Sequence, residues 1–208
     1  MPSTFTVGGL SRIEQLSDKV RELMVGFGFQ EIVSNILGSR GDLIHRMRLP
    51  DGHPEARCVE VENVMSQSYE CLRQWILPSL LRVETASSRS FYPHFLFELG
   101  EVVVPDPQAE TGTRTDVRLG ALLAHANVNF SEAHSFLDLL CFYLGWTYSL
   151  TPADHPSFLE GRVGVVERDG KVVGLIGELH PEVLERWQIT MPCSAFELGI
   201  SLPGNPQS

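Results

Sequence analysis

The sequence lacks a surplus of positive charge. Sixteen Lys and Arg stand against 26 Asp and Glu, giving a formal net charge of −10. Phosphate contacts draw on clustered Lys and Arg, so the whole-chain balance argues against a free-standing nucleic-acid binder. No Lys or Arg falls between Arg118 and Arg162. No window approaches the ~18 apolar residues that a membrane-spanning helix needs. The longest candidate, Phe136 to Trp146, is too short and carries Asp138. Met1 to Val7 has no basic start leading into an apolar run, so no secretory signal is visible. The four cysteines, Cys58, Cys71, Cys141 and Cys193, lie far apart with no C-x-x-C pair. Without a secretory signal, the expectation is free thiols in a reducing cytoplasm. His45, His53 and Cys58 lack zinc-ligand spacing. Nucleotide-loop patterns are missing too. Gly161-x-x-Gly164 and Gly174-x-x-Gly177 sit in strand context, where glycine marks a bulge or a close approach of strands.

What is present is a globular balance: 208 residues, 43% hydrophobic and 20% charged. That length suits one large domain, or two small ones packed together. Ser11 and Glu14 have the spacing of a capping box. Ile13, Leu16, Val20, Leu23, Met24 and Phe27 then recur every three or four residues, predicting an amphipathic helix to about Gly26. Strands are expected over Phe29–Leu37, Cys58–Val61, Phe95–Val104, Arg118–Ala124, Trp146–Leu150, Val163–Arg168, Lys171–Gly177 and Ala195–Ile200. Asp169-Gly170 is the dipeptide of a tight type I′ hairpin turn. Helices are expected over Gly41–Met47, Leu80–Ser88 with Pro78 in the first turn, Glu132–Leu144 capped by Ser131, and Pro181–Trp187. Pro105–Thr115 reads as loop, and 203–208 as a frayed tail. Hairpin-like neighbours without regular βαβ alternation imply an α+β fold, a mostly antiparallel sheet with helices over one face.

Chemistry-bearing groups are few. His134 and Asp138 share a helix face, the pattern of a hydrogen-bonded surface pair. Phe95 and Phe97 lie near Arg82 and Arg89, but their common strand parity is that of a core face rather than a base-stacking platform. His155-Pro156-Ser157-Phe158 with Glu160-Gly161-Arg162 forms a rigid, aromatic loop, and His180-Pro181 a turn that launches a helix.

Several blocks together resemble the catalytic-like core of phenylalanyl-tRNA synthetase beta subunits, most closely of the archaeal and eukaryotic type. They include Phe5-Thr6-Val7-Gly8, Gly28-Phe29-Gln30-Glu31, Val61-Glu62-Asn63, Met65-Ser66, Leu77-Pro78-Ser79-Leu80-Leu81 and Phe97-Glu98-Leu99-Gly100-Glu101. They continue through Thr111-Gly112-Thr113-Arg114, His155-Pro156-Ser157-Phe158, Ile176-Gly177-Glu178-Leu179-His180-Pro181 and Phe196-Glu197-Leu198. The resemblance runs in order over nearly the whole chain. It implies a class II aminoacyl-tRNA synthetase-like core over 1–202: an antiparallel sheet with flanking helices, located in the cytoplasm. It also implies a module that does no chemistry itself, but supports a catalytic alpha subunit that holds ATP, Mg and phenylalanine. No cofactor is then expected on this chain, and no catalytic residue. His155, Ser157, Phe158, Glu160, Arg162, Glu178 and His180 are the candidate pocket or interface residues.

The residues agree with that division of labour. Class II adenylation stabilises charge through arginines on the central strands, yet none stands between His94 and Glu98, and none in Leu198-Gly199-Ile200-Ser201-Leu202-Pro203. Two features depart from the family. The upstream editing and metal-associated domains of beta subunits do not fit within 208 residues, so the expectation is a fragment or a separately encoded relative. The stretch Arg82-Val83-Glu84-Thr85-Ala86-Ser87 is also less basic than is usual, which weakens direct contact with tRNA there. Acidity then points to an indirect role in tRNA charging. When alone, the chain is expected to pair as a homodimer, or to be a sticky monomer, through Leu10 to Leu37. The alternative reading is a stand-alone paralogue with a regulatory or small-molecule-binding role.

Overall fold

The computed structural model describes residues 8–63 and 66–200. The segments Phe5–Val7, Met65 and 203–208 singled out above lie outside the described residues. Helix α1 spans Arg12–Gly26, and its capping box is formed: Ser11 Oγ accepts from the Glu14 N–H, and Glu14 accepts from the Ser11 N–H. Val20 and Met24 on its inner face are fully buried.

The strand expected over Phe29–Leu37 is broken into β1 (Gln30–Glu31) and β2 (Leu37–Gly38). Between them Ser34 gives its N–H to Glu98 Oε1 at 3.2 Å and its hydroxyl to Oε2 at 2.6 Å. A backbone donor committed to a carboxylate cannot also pair in a ladder. β2, β3 (Val59–Glu60) and β4 (Cys71–Leu72) form a small three-stranded sheet in the order β2-β4-β3. The chain between β2 and β4 adds a π-helical turn over Gly41–His45 and a 3₁₀ turn over Pro54–Ala56.

Helix α2 (Leu77–Ala86) carries Pro78 in its first turn, where no helical N–H is missed. Strands β5 (His94–Pro105) and β6 (Thr113–Ala124) then pair antiparallel over their full length. β6 therefore begins five residues before the expected Arg118. Its opening, Thr113 to Asp116, is polar, and Arg114 is held bidentate by Asp116 at 2.7 and 2.9 Å. Apolar patterning could not reveal it, because Thr113–Asp116 has no apolar residue, although Val102 and Val103 of the paired β5 are buried.

Helix α3 (Phe130–Leu144) starts earlier than expected. Asn129, not Ser131, is its cap, with Oδ1 accepting from the Glu132 N–H at 3.0 Å. Asn129→Ala should therefore cost about 1 kcal/mol in urea unfolding, while Ser131→Ala stays within about 0.5 kcal/mol. Strands β7 (Ser149–Pro152), β8 (Phe158–Arg168) and β9 (Lys171–Leu179) follow as a meander. Asp169 and Gly170 both have positive φ, 52° and 72°, as a type I′ turn requires. Helix α4 (Pro181–Trp187) and strand β10 (Cys193–Gly199) complete the fold.

The main sheet has seven strands in the order β1-β5-β6-β10-β9-β8-β7. Only the β1–β5 pairing is parallel. The α+β architecture is thus as expected, with one correction: helices cover both faces, not one. α1 and α3 pack Val20, Met24, Leu137 and Leu140 on Phe97, Leu119 and Phe196. α2 and α4 pack Leu80, Leu81, Val183 and Trp187 on Leu96, Leu122 and Ala195. The reason lies in the central strands. Leu119–Ala124 and Cys193–Leu198 are buried at every residue, and a continuously buried run needs cover on both sides. The Phe97 side chain lies in that core, with Phe95 packed against it at the edge.

Candidate functional site

The seven candidate residues are dispersed rather than gathered at one place. His155, Ser157 and Phe158 lead from β7 into β8 on the α2 side. The His155 ring Nε2 bonds Glu55 Oε2 at 2.7 Å, and Nδ1 accepts from the Ser157 N–H at 3.1 Å. That pair of bonds sets Nε2 as the protonated nitrogen. The ring stands edge-on to His53 and Phe158, with centroids 5.5 and 5.3 Å away. Ser157 is buried and donates to the Met47 carbonyl, and Phe158 lies over Gly177, where a Cβ would come within 2.6 Å of its ring. Gly161, at φ 71°, sits in the irregularity of register between Phe158 and Val163.

Glu178 and Arg162 lie on the other face, beside the start of α3. Glu178 Oε1 accepts from the Phe130 N–H at 2.8 Å and from Arg162 at 3.4 Å, a carboxylate placed against a helix N-terminus. His180 is the cap of α4, with Nδ1 accepting from the Glu182 N–H. Glu160 is exposed. His134 and Asp138 do form a surface pair, 3.7 Å apart, and Tyr148 joins it by hydrogen bonds to both.

Of the seven, His155 lines a cleft. It is the second, of about 220 Å³, of two neighbouring chambers, the first being about 260 Å³. Glu55, Trp75 and Arg118 line both. The first chamber is closed by Arg57, Gln74, Val104 and Pro105, the second by Asp154, His155, Val163 and Leu175. Arg118 reaches Glu197 Oε1 at 3.2 Å. The other oxygen of Glu197 accepts from the N–H groups of Ile76 and Leu77, at 2.8 and 3.1 Å, where α2 begins. Complete burial raises the Glu197 pKa, against the opposing pull of Arg118 and the two amides.

Glu55 has the opposite balance. Burial pushes its pKa up, but the His155 hydrogen bond and the nearby His155, His53 and Arg118 charges outweigh it, leaving the net value lowered. A lowered folded pKa stabilises the fold above the unfolded glutamate value, and that gain is lost as pH falls through the folded value. We expect urea midpoints of the native chain to drop more steeply than those of Glu55→Gln below about pH 4.3.

An ion pair buried on both sides lies on the same face. Arg73 Nη1 meets Glu98 Oε1 at 2.7 Å, with both side chains at least 96% buried. Arg73 also donates to the Glu101 carbonyl at 2.9 Å and to Ser34 and Ser79 at 2.8 and 3.2 Å. It passes directly over Gly100, where a Cβ would lie 2.3 Å from Nη2. Sequence reasoning missed Glu55, Trp75, Arg118 and Glu197 as a group, because they come from four separate elements. The one available signal was Glu197 itself, a charged residue inside the otherwise apolar run Ala195–Leu198.

The sequence model of the phenylalanyl tRNA synthetase beta chain CLM domain matches residues 1–200. The chain belongs to that family. Phenylalanine–tRNA ligase beta subunits are among its relatives. That of Thermococcus kodakarensis is 41% identical over 208 residues, covering 95% of this chain and 36% of the relative. Those of Treponema pallidum and Korarchaeum cryptofilum are both 38% identical, covering 96% and 97% of this chain and 32% and 36% of the relatives. The chain thus spans about a third of the length of these beta subunits. Within the family's CLM domain, the α2-facing side of β5 presents Leu96 and Glu98, one packed in the core and the other bound to Arg73. Among the described residues, no helix is long and apolar enough to cross a membrane.

Proposed function

We propose that this chain is the core module of a phenylalanyl-tRNA synthetase beta subunit. It supports a catalytic alpha subunit in the ATP-dependent attachment of phenylalanine to tRNA, in the cytoplasm, and performs no adenylation itself. The observation that carries this reading is the family match across 1–200, combined with a β5 that offers no arginine to an α-phosphate. In a class II-type core that strand would present a guanidinium to charge developing in the transition state. Between His94 and Glu98 this strand has no arginine, and on its α2 side it carries Leu96 in the core and Glu98 bound to Arg73.

ATP and Mg belong, on this reading, to the alpha subunit, and tRNA is served indirectly, in keeping with the net charge of −10. Leu10, Val25 and Val33 are exposed hydrophobics along α1 and the stretch after it, which supports pairing through Leu10 to Leu37 with the alpha subunit or, in its absence, with a second copy. The test is co-expression with the alpha subunit of the same organism. Co-elution as a stoichiometric complex, together with no ATP–pyrophosphate exchange by this chain alone, is the expected result. A chain that stays monomeric and ignores alpha would overturn the proposal in favour of a regulatory paralogue. Exchange activity of the isolated chain would overturn it in favour of an enzyme.

A further inference from the structure

Cys58 and Cys71 meet across the small sheet. In the β3–β4 ladder Glu60 is the partner of Cys71, and Val59 that of Leu72. Cross-strand partners project to the same face, as do residues two apart along a strand. Cys58, one residue ahead of β3, therefore stands on that face as the diagonal neighbour of Cys71. Arg40 bears this out, with Nη1 3.6 Å from Cys58 Sγ and 2.7 Å from Glu60 Oε1. Both cysteines are free thiols. Cys71 is fully buried in the core, and Cys58 packs half-buried against it.

The two sulfurs are not equivalent. Burial, together with the neighbouring Cys58 thiol, pushes the Cys71 thiol up. Cys58 is the more accessible of the two and has a guanidinium against its sulfur, the electropositive and partly exposed setting in which cysteines react. Cys141 and Cys193, at 3% and 2% exposure, are closed off from a dissolved oxidant.

We propose that Cys58 and Cys71 are a peroxide-sensitive dithiol, closing to a reversible disulfide that clips β3 to β4. The Cys58 thiolate attacks one peroxide oxygen, the O–O bond breaks, and Cys58 becomes a sulfenic acid as hydroxide leaves. The Cys71 sulfur then attacks the Cys58 sulfur, the S–O bond breaks, and the Cys71 proton departs with that oxygen as water. In sum, two thiols and one hydrogen peroxide give one disulfide and two waters. Diagonal neighbours lie about 7–8 Å apart, and a disulfide spans about 4.4–6.8 Å between Cα atoms, so the strand end must close in slightly. Cys58 precedes the first ladder residue, where that movement breaks no β3–β4 pairing. The bridge is then strained, and strained bridges are readily reduced, which makes the change reversible by thiols.

The test is hydrogen peroxide treatment of the reduced chain, followed by alkylation in denaturant and mass spectrometry. Two of the four thiols should become unreactive, with a proteolytic fragment joining residues 58 and 71, and dithiothreitol should restore both. Cys71→Ala should stop at a sulfenic acid on Cys58, which dimedone traps. Since Cys71 is a core residue, the half-buried Cys58→Ser provides the second variant, and in it Cys71 should stay reduced. Four thiols still free after peroxide overturn the proposal, as does a sulfinic acid on Cys58 beside a reduced Cys71. So do a bridge between two chains in place of the internal one, and oxidation of Cys71 in Cys58→Ser at the native rate. None of these outcomes bears on association with an alpha subunit.

Discussion

Replacing Arg73 by Met should destabilise the chain by about 3–5 kcal/mol, because it leaves the Glu98 carboxylate buried and uncompensated. Domains of this kind are stable by only about 5–15 kcal/mol in total, so the loss is a large fraction. Glu98 would retain the two bonds from Ser34, which satisfy its oxygens as acceptors but bring no counter-charge. The informative partner is the double variant Arg73→Met with Glu98→Leu. Removing both charges relieves the desolvation penalty on each, and more than about half of the loss should return. The recovery should be incomplete, since Ser34 and Ser79 then lose their partners. Urea unfolding of the three variants decides it. A double variant no better than Arg73→Met would show that packing over Gly100, rather than charge, holds this corner.

Trp187→Ala should cost a similar amount, about 3–5 kcal/mol, through the cavity it leaves. Trp187 ends α4 and is 1% exposed. Its indole N–H points to Met47 Sδ at 3.4 Å, and the Arg46 guanidinium stands 4.9 Å over its ring. Its carbonyl accepts from Thr85 Oγ1 of α2 at 2.8 Å. One side chain thus joins α4 to the segment after β2, while its backbone is tied to α2. Trp187→Phe keeps most of the buried ring and should lose clearly less, which distinguishes a packing role from the single N–H···S contact. A midpoint shift in Trp187→Ala no larger than that in Trp187→Phe would contradict this account.

Local rules carried much of the fold. The Ser11–Glu14 box, the Asp169-Gly170 turn and Pro181 depend on neighbouring residues, and each stands where the sequence places it. Errors arose where a tertiary partner overrode a local pattern. Ser34 reads as strand until Glu98 takes its N–H, and Thr113–Asp116 reads as loop until β5 pairs with it. Ser131 is an acceptable cap, but Asn129 is nearer to where the packing of α3 begins. The double-sided cover of the sheet was implied by the unbroken apolar runs of β6 and β10, and alternation in neighbouring strands obscured it. For the candidate site, sequence drew attention to His155. Its companions Glu55, Trp75, Arg118 and Glu197 were not legible, since only the fold brings four distant segments to one cleft.

The position of β10 bears on how the molecule is made. Two local units, the β5–β6 hairpin and the β7–β8–β9 meander, precede it, and it enters between β6 and β9 to join them. Before residues 193–199 have left the ribosome, both units expose a long unpaired edge, β6 on one and β9 on the other. Such edges recruit foreign strands, and non-local closure of this kind is slow relative to hairpin formation. A nascent chain arrested just before Cys193 should therefore be protease-sensitive and chaperone-bound, and release of one further strand should convert it, in a single cooperative step, into the protected domain.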